Sequence, residues 1–285
     1  MTKVLILGAS GMLGSAVLRL FAQSDGFITM GTVRSGHAAR LLPTALRPLL
    51  IEGVDVDQFD SLARGIELAR PDVIVNCIGV VKQLVEADDT LTALPINSLL
   101  PHRLARLCSL TGARLVHVST DCVFSGSKGR YVESDFADAD DLYGRSKYLG
   151  EVDYSHAVTL RTSIIGHELD GARSLLCWFL AQNDSVCGFT RAVFSGLPTV
   201  ELARVVRDFV LPNPKLRGLY HVSAAPITKY DLLRLVATAY GKAIEIVPHG
   251  QLVIDRSLDS TRFQSATSYI PPSWPELIDR MRAFG

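Results

Sequence analysis

Several things are scarce in this chain. It has no excess of either charge: 29 Lys and Arg stand against 29 Asp and Glu in 285 residues, a formal net charge of zero. Proteins that coat nucleic acid need a basic surplus to displace phosphate counterions, so no nucleic-acid partner is expected. Long apolar runs are missing too. A membrane-spanning helix takes roughly 18 or more consecutive apolar residues, and runs such as Leu175–Ala181 are far shorter, so no membrane partner is expected. The apolar run at residues 4–7 is too short for a secretory signal. The five cysteines (Cys77, Cys108, Cys122, Cys177 and Cys187) are odd in number, without CxxC spacing or an accompanying His cluster. That pattern supports neither a disulfide frame nor a zinc site, and no metal is expected. These absences predict a cytoplasmic protein with reduced thiols. What is abundant is apolar: 48% hydrophobic against 20% charged residues, enough to bury a large core.

The first half alternates short β-branched runs with helical spacings. Strands are expected at residues 3–7, 27–33, 49–51, 72–77, 114–119 and 157–162. Helices are expected at 12–23, 57–68, 95–111 and 143–152. Such alternation implies βαβ units and a parallel sheet with both faces covered, which suits the continuous rather than alternating apolar strands. Beyond residue 164 the alternation weakens. Helices are expected at 174–182, 200–210, 228–240 and 274–284, with short strands near 218–222 and 244–247. The reading is an α/β fold of Rossmann type, a doubly wound parallel sheet in residues 1–163. A smaller substrate-binding part follows in 164–285, some of it packing back on the core.

Between the first strand and the first helix lies Gly8-Ala9-Ser10-Gly11-Met12-Leu13-Gly14. One glycine permits a tight turn, one lets backbone approach a pyrophosphate, and one lets helix and sheet pack closely. The N–H groups at the helix start, with Ser10, then face the phosphates. The residue that reads the adenosine ribose stands roughly 20 positions on. The second strand offers no Asp or Glu there; it ends in Arg34-Ser35. A cation and a hydroxyl suit a 2′-phosphate, so NADP(H) is preferred, with NAD(H) as the second option. Asp55, after the third strand, either accepts from the adenine amino group or caps the following helix. Asn76-Cys77-Ile78-Gly79 ends the fourth strand, on the carboxyl edge where such sheets bind ligands.

Tyr143 and Lys147 stand four apart and share a face if helical. A free tyrosine is a poor acid at neutral pH, and a nearby ammonium favours its phenolate. Before them, Ser119 and Thr120 end the fifth strand and bring hydroxyls to the same edge.

Glycine turn, strand-end hydroxyl and YxxxK, in that order, resemble the extended short-chain dehydrogenase/reductase superfamily. Within its nucleotide-sugar branch the chain is most similar to the 4-keto reductases, the dTDP-4-dehydrorhamnose reductases. The matching pieces are GASGMLG from Gly8, NCIG from Asn76, STDCVFSG from Ser119, YGRSKYLGE from Tyr143, LRTS from Leu160 and SGLPTVELA from Ser195. The resemblance implies that Thr120 binds the sugar carbonyl and Tyr143 donates the proton. It implies that Lys147 binds the nicotinamide ribose and lowers the tyrosine pKa, while Ser119 lies on the cofactor side. Asn97 joins the cofactor site through a proton relay, or is a helix-surface residue. Lys82 and Arg256 are candidate contacts to a nucleotide-diphosphate sugar, each with a surface alternative. The family also allows a homodimer. Cys122 stands where the family usually has an aromatic; it reads as a packing residue, since the sequence puts no basic partner beside it. Two alternatives stay open: an epimerase that retains NAD, and a non-catalytic regulatory or binding subunit of the same fold.

Overall fold

The computed structural model describes residues 1–82 and 85–285. The chain forms two compact units that interleave in sequence. One comprises Met1–Ser119, Asp140–Leu160 and Pro214–Leu219; the other comprises Thr120–Ala139, Arg161–Asn213 and Tyr220–Gly285.

In the first unit the alternation is regular. β1 (Thr2–Leu7) leads through the glycine turn into α1 (Met12–Ala22), and β2 (Phe27–Val33) into the short α2 (Gly36–Arg40). β3 (Leu50–Glu52) precedes α3 (Phe59–Ala69), which ends on Arg70 in the left-handed region. β4 (Val73–Asn76) is followed by α4 (Thr90–Ala93), a π-helical turn at Leu94–Leu99, and α5 (Leu100–Thr111), which Gly112 closes at φ 74°. β5 (Arg114–Thr120), α6 (Leu142–Leu149) and β6 (Ala157–Thr162) complete the series. The continuous helix expected at 95–111 is instead broken in two, the first part wound as the π turn. Pro101 has no N–H to give the Asn97 carbonyl four residues back, and Asn97 and Ser98 make side-chain bonds to α6 from this turn.

The second unit starts its regular structure with β7 (Ile164–Ile165), α7 (Leu175–Ala181), β8 (Val186–Phe189), β9 (Ala192–Phe194), β10 (Leu197–Pro198) and α8 (Thr199–Val205). β11 (Gly218–His221) then joins the main sheet. β12 (Ile227–Thr228), α9 (Lys229–Tyr240), β13 (Ile246–His249), β14 (Ile254–Asp255), α10 (Thr261–Thr267) and α11 (Trp274–Phe284) follow. The short strands pair as β7 with β10, β8 with β13, and β9 between β12 and β14.

Among the described residues the main sheet has seven strands in the order β11-β6-β5-β4-β1-β2-β3. β1 pairs in parallel with both β2 and β4, and β4 in parallel with β5. This is the doubly wound α/β architecture expected from the alternation. The order reverses between β1 and β4, so the chain leaves these two neighbours toward opposite faces and opens a crevice at their carboxyl ends. On one face Leu62 and Ile66 of α3 and Leu104 and Cys108 of α5 pack on Leu5, Ile74 and Leu115 of the sheet, all nearly inaccessible. Each such aliphatic side chain contributes about 2 kcal/mol. No helix among the described residues is long and apolar enough to cross a membrane.

Candidate active site

The glycine turn stands at the switch point. Gly8 has φ 78°, a left-handed conformation, and a Cβ there would also strike Ile78 at 2.8 Å. A Cβ on Gly14 would lie 2.0 Å from the Gly8 carbonyl oxygen, so α1 can cross the turn this closely only without a side chain. Gly11 is the N-cap of α1 and supplies no side-chain acceptor, and the first turn holds no acidic residue. The leading N–H groups, from Met12 onward, are thus left for an anion. Thr32 of β2 ties down the far side: its carbonyl accepts from Ala9 N–H at 3.0 Å and its hydroxyl from Gly8 N–H at 3.3 Å. These residues fit a dinucleotide pyrophosphate.

Arg34 follows β2 directly and is exposed. Ser35 is engaged locally, where its hydroxyl accepts from Ala38 N–H at 3.3 Å and caps α2. Linear spacing misses Glu52. It pairs with Val33 across the β2–β3 ladder, and its Oε2 lies 3.2 Å from where a Cβ on Gly36 would stand. The acid absent from β2 is thus supplied beside it by β3, a placement only the sheet register reveals. Asp55 shapes the turn before α3, its Oδ1 accepting from Asp57 N–H at 3.1 Å and its own N–H donating to Ser61 Oγ at 3.0 Å. The cap position of α3 belongs to Gln58.

At the end of β4, Asn76 is fully buried. Its Oδ1 accepts from Ile78 N–H at 3.1 Å, which leaves its Nδ2 to donate to His117 Nδ1 at 3.1 Å. His117 is therefore the neutral tautomer protonated on Nε2. Burial first, and then the Lys147 and His102 charges, hold its pKa well below the usual value. Burial pushes the Cys77 thiol up to about 12, so it is no nucleophile at neutral pH. The loop continues through Gly79, where a Cβ would stand 3.3 Å from Asn97 Oδ1 and 3.8 Å from Lys147 Nζ.

Asn97 lies in the π turn, 1% exposed, which removes the helix-surface alternative. Its Oδ1 accepts from Val80 N–H at 2.9 Å; its Nδ2 donates to the Val80 carbonyl at 3.2 Å and to Ser146 Oγ at 3.1 Å. Ser98 Oγ donates to the Ser146 carbonyl at 2.8 Å. The π turn thereby joins the β4 loop to α6. Helix α6 itself starts on Asp141, whose Oδ1 accepts from Gly144 N–H at 2.7 Å. The other Asp141 oxygen holds Lys82 Nζ at 2.5 Å. This half-exposed pair engages the ammonium that the sequence offered to the substrate.

Tyr143 and Lys147 are both on α6, one turn apart. Lys147 is 5% exposed and donates to the Val118 carbonyl of β5 at 2.9 Å. Burial brings its pKa down to about 8, and the Glu151 carboxylate opposes that fall. Ser119 Oγ donates to Glu151 Oε1 at 2.7 Å.

In the second unit, Thr120 Oγ1 accepts from Cys122 N–H at 3.1 Å and donates to Asp121 Oδ1 at 3.3 Å. Burial raises the Asp121 pKa, while the Arg256 charge and hydrogen bonds from Ser163, Cys122 and Thr120 counter it. Arg256 Nε donates to the Phe124 carbonyl at 2.7 Å, and its Nη1 stands 3.9 Å from Cys122 Sγ. Cys122 thus does have a basic neighbour, brought from 134 positions away in sequence. Deeper in this unit Phe124 stacks on Tyr131, with ring centroids 4.0 Å apart, and the buried Arg161 guanidinium covers Phe124. Arg161 Nη1 donates to His221 Nε2 at 2.8 Å, and His221 Nδ1 donates to the Tyr131 carbonyl at 3.0 Å. Burial, and next the Arg161 charge, pull the His221 pKa down to about 3.

Residues 1–276 match the family described as RmlD substrate binding domain. Among curated proteins the chain is similar to methionine adenosyltransferase 2 subunit beta of Danio rerio, 29% identical over 84% of this chain and 74% of that one. It is also similar to dTDP-4-dehydrorhamnose reductase of Aggregatibacter actinomycetemcomitans, 23% identical over 100% of this chain and 99% of that one. Among solved structures, dTDP-4-dehydrorhamnose reductase from Bacillus anthracis in complex with NADP superposes with a TM-score of 0.80. It is 20% identical, over 99% of this chain and 98% of the other.

Proposed function

Because the chain belongs to the RmlD substrate-binding-domain family, we propose that it is an NAD(P)H-dependent reductase of a nucleotide-linked 4-keto-6-deoxysugar. NADP(H) is the preferred cofactor and NAD(H) the second. The observation that carries this reading is Lys147, a buried ammonium seated on the end of β5, one helical turn from a tyrosine and facing the loop at Gly79. A buried cation is costly and is kept where its charge is used.

The bound cofactor supplies a hydride to the keto carbon. The chain supplies the rest. The glycine turn and the start of α1 seat the pyrophosphate, and Arg34 meets the adenosine end. The Thr120 hydroxyl, turning its proton away from Asp121 Oδ1, donates to the sugar carbonyl oxygen. Tyr143 gives its phenolic proton to that oxygen as the alcohol forms, and the Lys147 ammonium stabilises the phenolate left behind.

Screening dTDP-, UDP- and GDP-linked 4-keto-6-deoxysugars for NADPH consumption tests the reading. Tyr143→Phe should cut turnover on the accepted sugar by about 100- to 10,000-fold, with NADPH affinity within a few-fold. Unchanged turnover removes Tyr143 from the chemistry.

The similarity to methionine adenosyltransferase 2 subunit beta supports a second reading, a non-catalytic subunit that keeps the fold. A protein that binds NADPH yet consumes none with any of these sugars favours it.

A further inference from the structure

Helix α6 grips two consecutive residues of β5. Lys147 Nζ donates to the Val118 carbonyl at 2.9 Å, and Ser119 Oγ donates to Glu151 Oε1 at 2.7 Å. Glu151 sits just beyond Gly150, the residue that caps α6. The Gly150 and Glu151 N–H groups bond the carbonyls of Lys147 and Tyr148 at 3.2 and 3.1 Å. A Cβ on Gly150 would lie 1.9 Å from the Asn97 carbonyl oxygen, so this backbone is pressed against the π turn and cannot shift toward it. The Glu151 carboxylate is therefore fixed from two sides, by its own backbone and by the Ser119 hydroxyl. From there its charge favours the ammonium form of Lys147, against the burial that disfavours it. The other titratable groups near Lys147 are Tyr143, one turn earlier on α6, and His117 of β5, held neutral, with His102 of α5 behind it.

We propose that Glu151 is a positioning residue for proton transfer: seated on the Ser119 hydroxyl, its carboxylate keeps Lys147 an ammonium clamped to the end of β5. This rests on the reading of Tyr143 and Lys147 as the proton-transfer pair. A neutral Lys147 still donates to Val118, so the strand contact survives deprotonation. What is lost is the charge that steadies the Tyr143 phenolate. The Ser119 hydroxyl thus acts one step back from the cofactor, holding the group that holds the lysine.

The test needs no sugar. The full chain, labelled with 13C at lysine Cε, is titrated by NMR, and the Lys147 signal is assigned by its absence in Lys147→Arg. Glu151→Gln keeps an oxygen for Ser119 and removes the charge. It should move the Lys147 midpoint down by about one pH unit, and Glu151→Asp should restore most of that shift. An unmoved midpoint in Glu151→Gln overturns the proposal, as does a Glu151→Asp midpoint displaced as far as that of Gln. Should Glu151→Gln fail to fold, Ser119→Ala takes its place. It frees the carboxylate from its seat and should move the midpoint the same way by less; no movement overturns the proposal. With an accepted sugar, the alkaline limb of kcat in Glu151→Gln should follow the midpoint downward, whereas an equal loss of kcat at every pH marks a merely structural role and overturns it. A wild-type chain that reduces none of the sugars defeats the proposed function instead and leaves the measured midpoints standing.

Discussion

The carboxamide of Asn97 closes on both backbone groups of Val80, accepting from its N–H at 2.9 Å and donating to its carbonyl at 3.2 Å. One side chain thus does for the β4 loop what a neighbouring strand would otherwise do. Asn97→Ala leaves these two groups and the Ser146 hydroxyl without that partner in a buried place. The expected cost is about 3 kcal/mol of unfolding free energy, read from urea denaturation. Because the loop carries Gly79 toward Lys147, NADPH binding should weaken as well.

Cofactor choice should follow the charges at the ends of β2 and β3. Arg34→Ala is expected to lower the preference for NADPH over NADH by about 10-fold or more, the worth of one charged hydrogen bond. Glu52→Gln should raise it, since a carboxylate beside Gly36 repels a 2′-phosphate. Dissociation constants for both cofactors, measured by quenching of protein fluorescence, check the pair. A preference unchanged in Arg34→Ala removes that residue from the adenosine site.

Substituting Lys147 should move activity and stability in opposite directions. Its folded pKa is about 8 against an ordinary 10.5, so between those values the unfolded chain binds the extra proton. The burden is complete below pH 8 and is relieved as pH rises toward 10.5. Lys147→Met should therefore stabilise the chain at neutral pH by about 2 kcal/mol, allowing for the lost Val118 bond, while turnover collapses. Urea midpoints beside NADPH consumption read both. In the wild type, turnover that needs the ammonium should fall as pH rises through about 8.

Acid should weaken the second unit early. His221 is held neutral at a folded pKa of about 3, against 6.5 when exposed. Within that window the unfolded chain binds more protons, so stability drops as pH falls. From pH 6.5 to 5 this one residue should cost about 2 kcal/mol. His221→Gln should flatten that part of the pH dependence in urea unfolding.

Much of the sheet was legible in the sequence. β-branched runs between helical spacings located its strands, because parallel strands buried on both faces leave no polar alternation to confuse the pattern. Strand 157–162 and helix 274–284 fall where the spacing puts them. Of the two- to four-residue strands, β11 and β13 were expected near 218–222 and 244–247, while the others carried no readable period, since alternation needs more residues than they have. The bonds that tie the π turn down were hidden because Asn97 makes them to residues 17 and 49 positions away. Glu52, Glu151 and the Arg256–Cys122 approach were invisible for the same reason: each depends on register or on chain returning from afar. The candidate pair Tyr143 and Lys147 was legible because helical spacing is a local property.

Gly150 has a consequence for how this chain can vary. With only a hydrogen where other residues carry carbon, α6 and the π turn meet at backbone distance. Even alanine there would drive the two segments apart by more than an ångström. The loop at Gly79 rides on one of them and the Tyr143 phenol on the other, so the spacing between these two candidate site segments is set by the smallest side group available. A substitution at this one position would widen it.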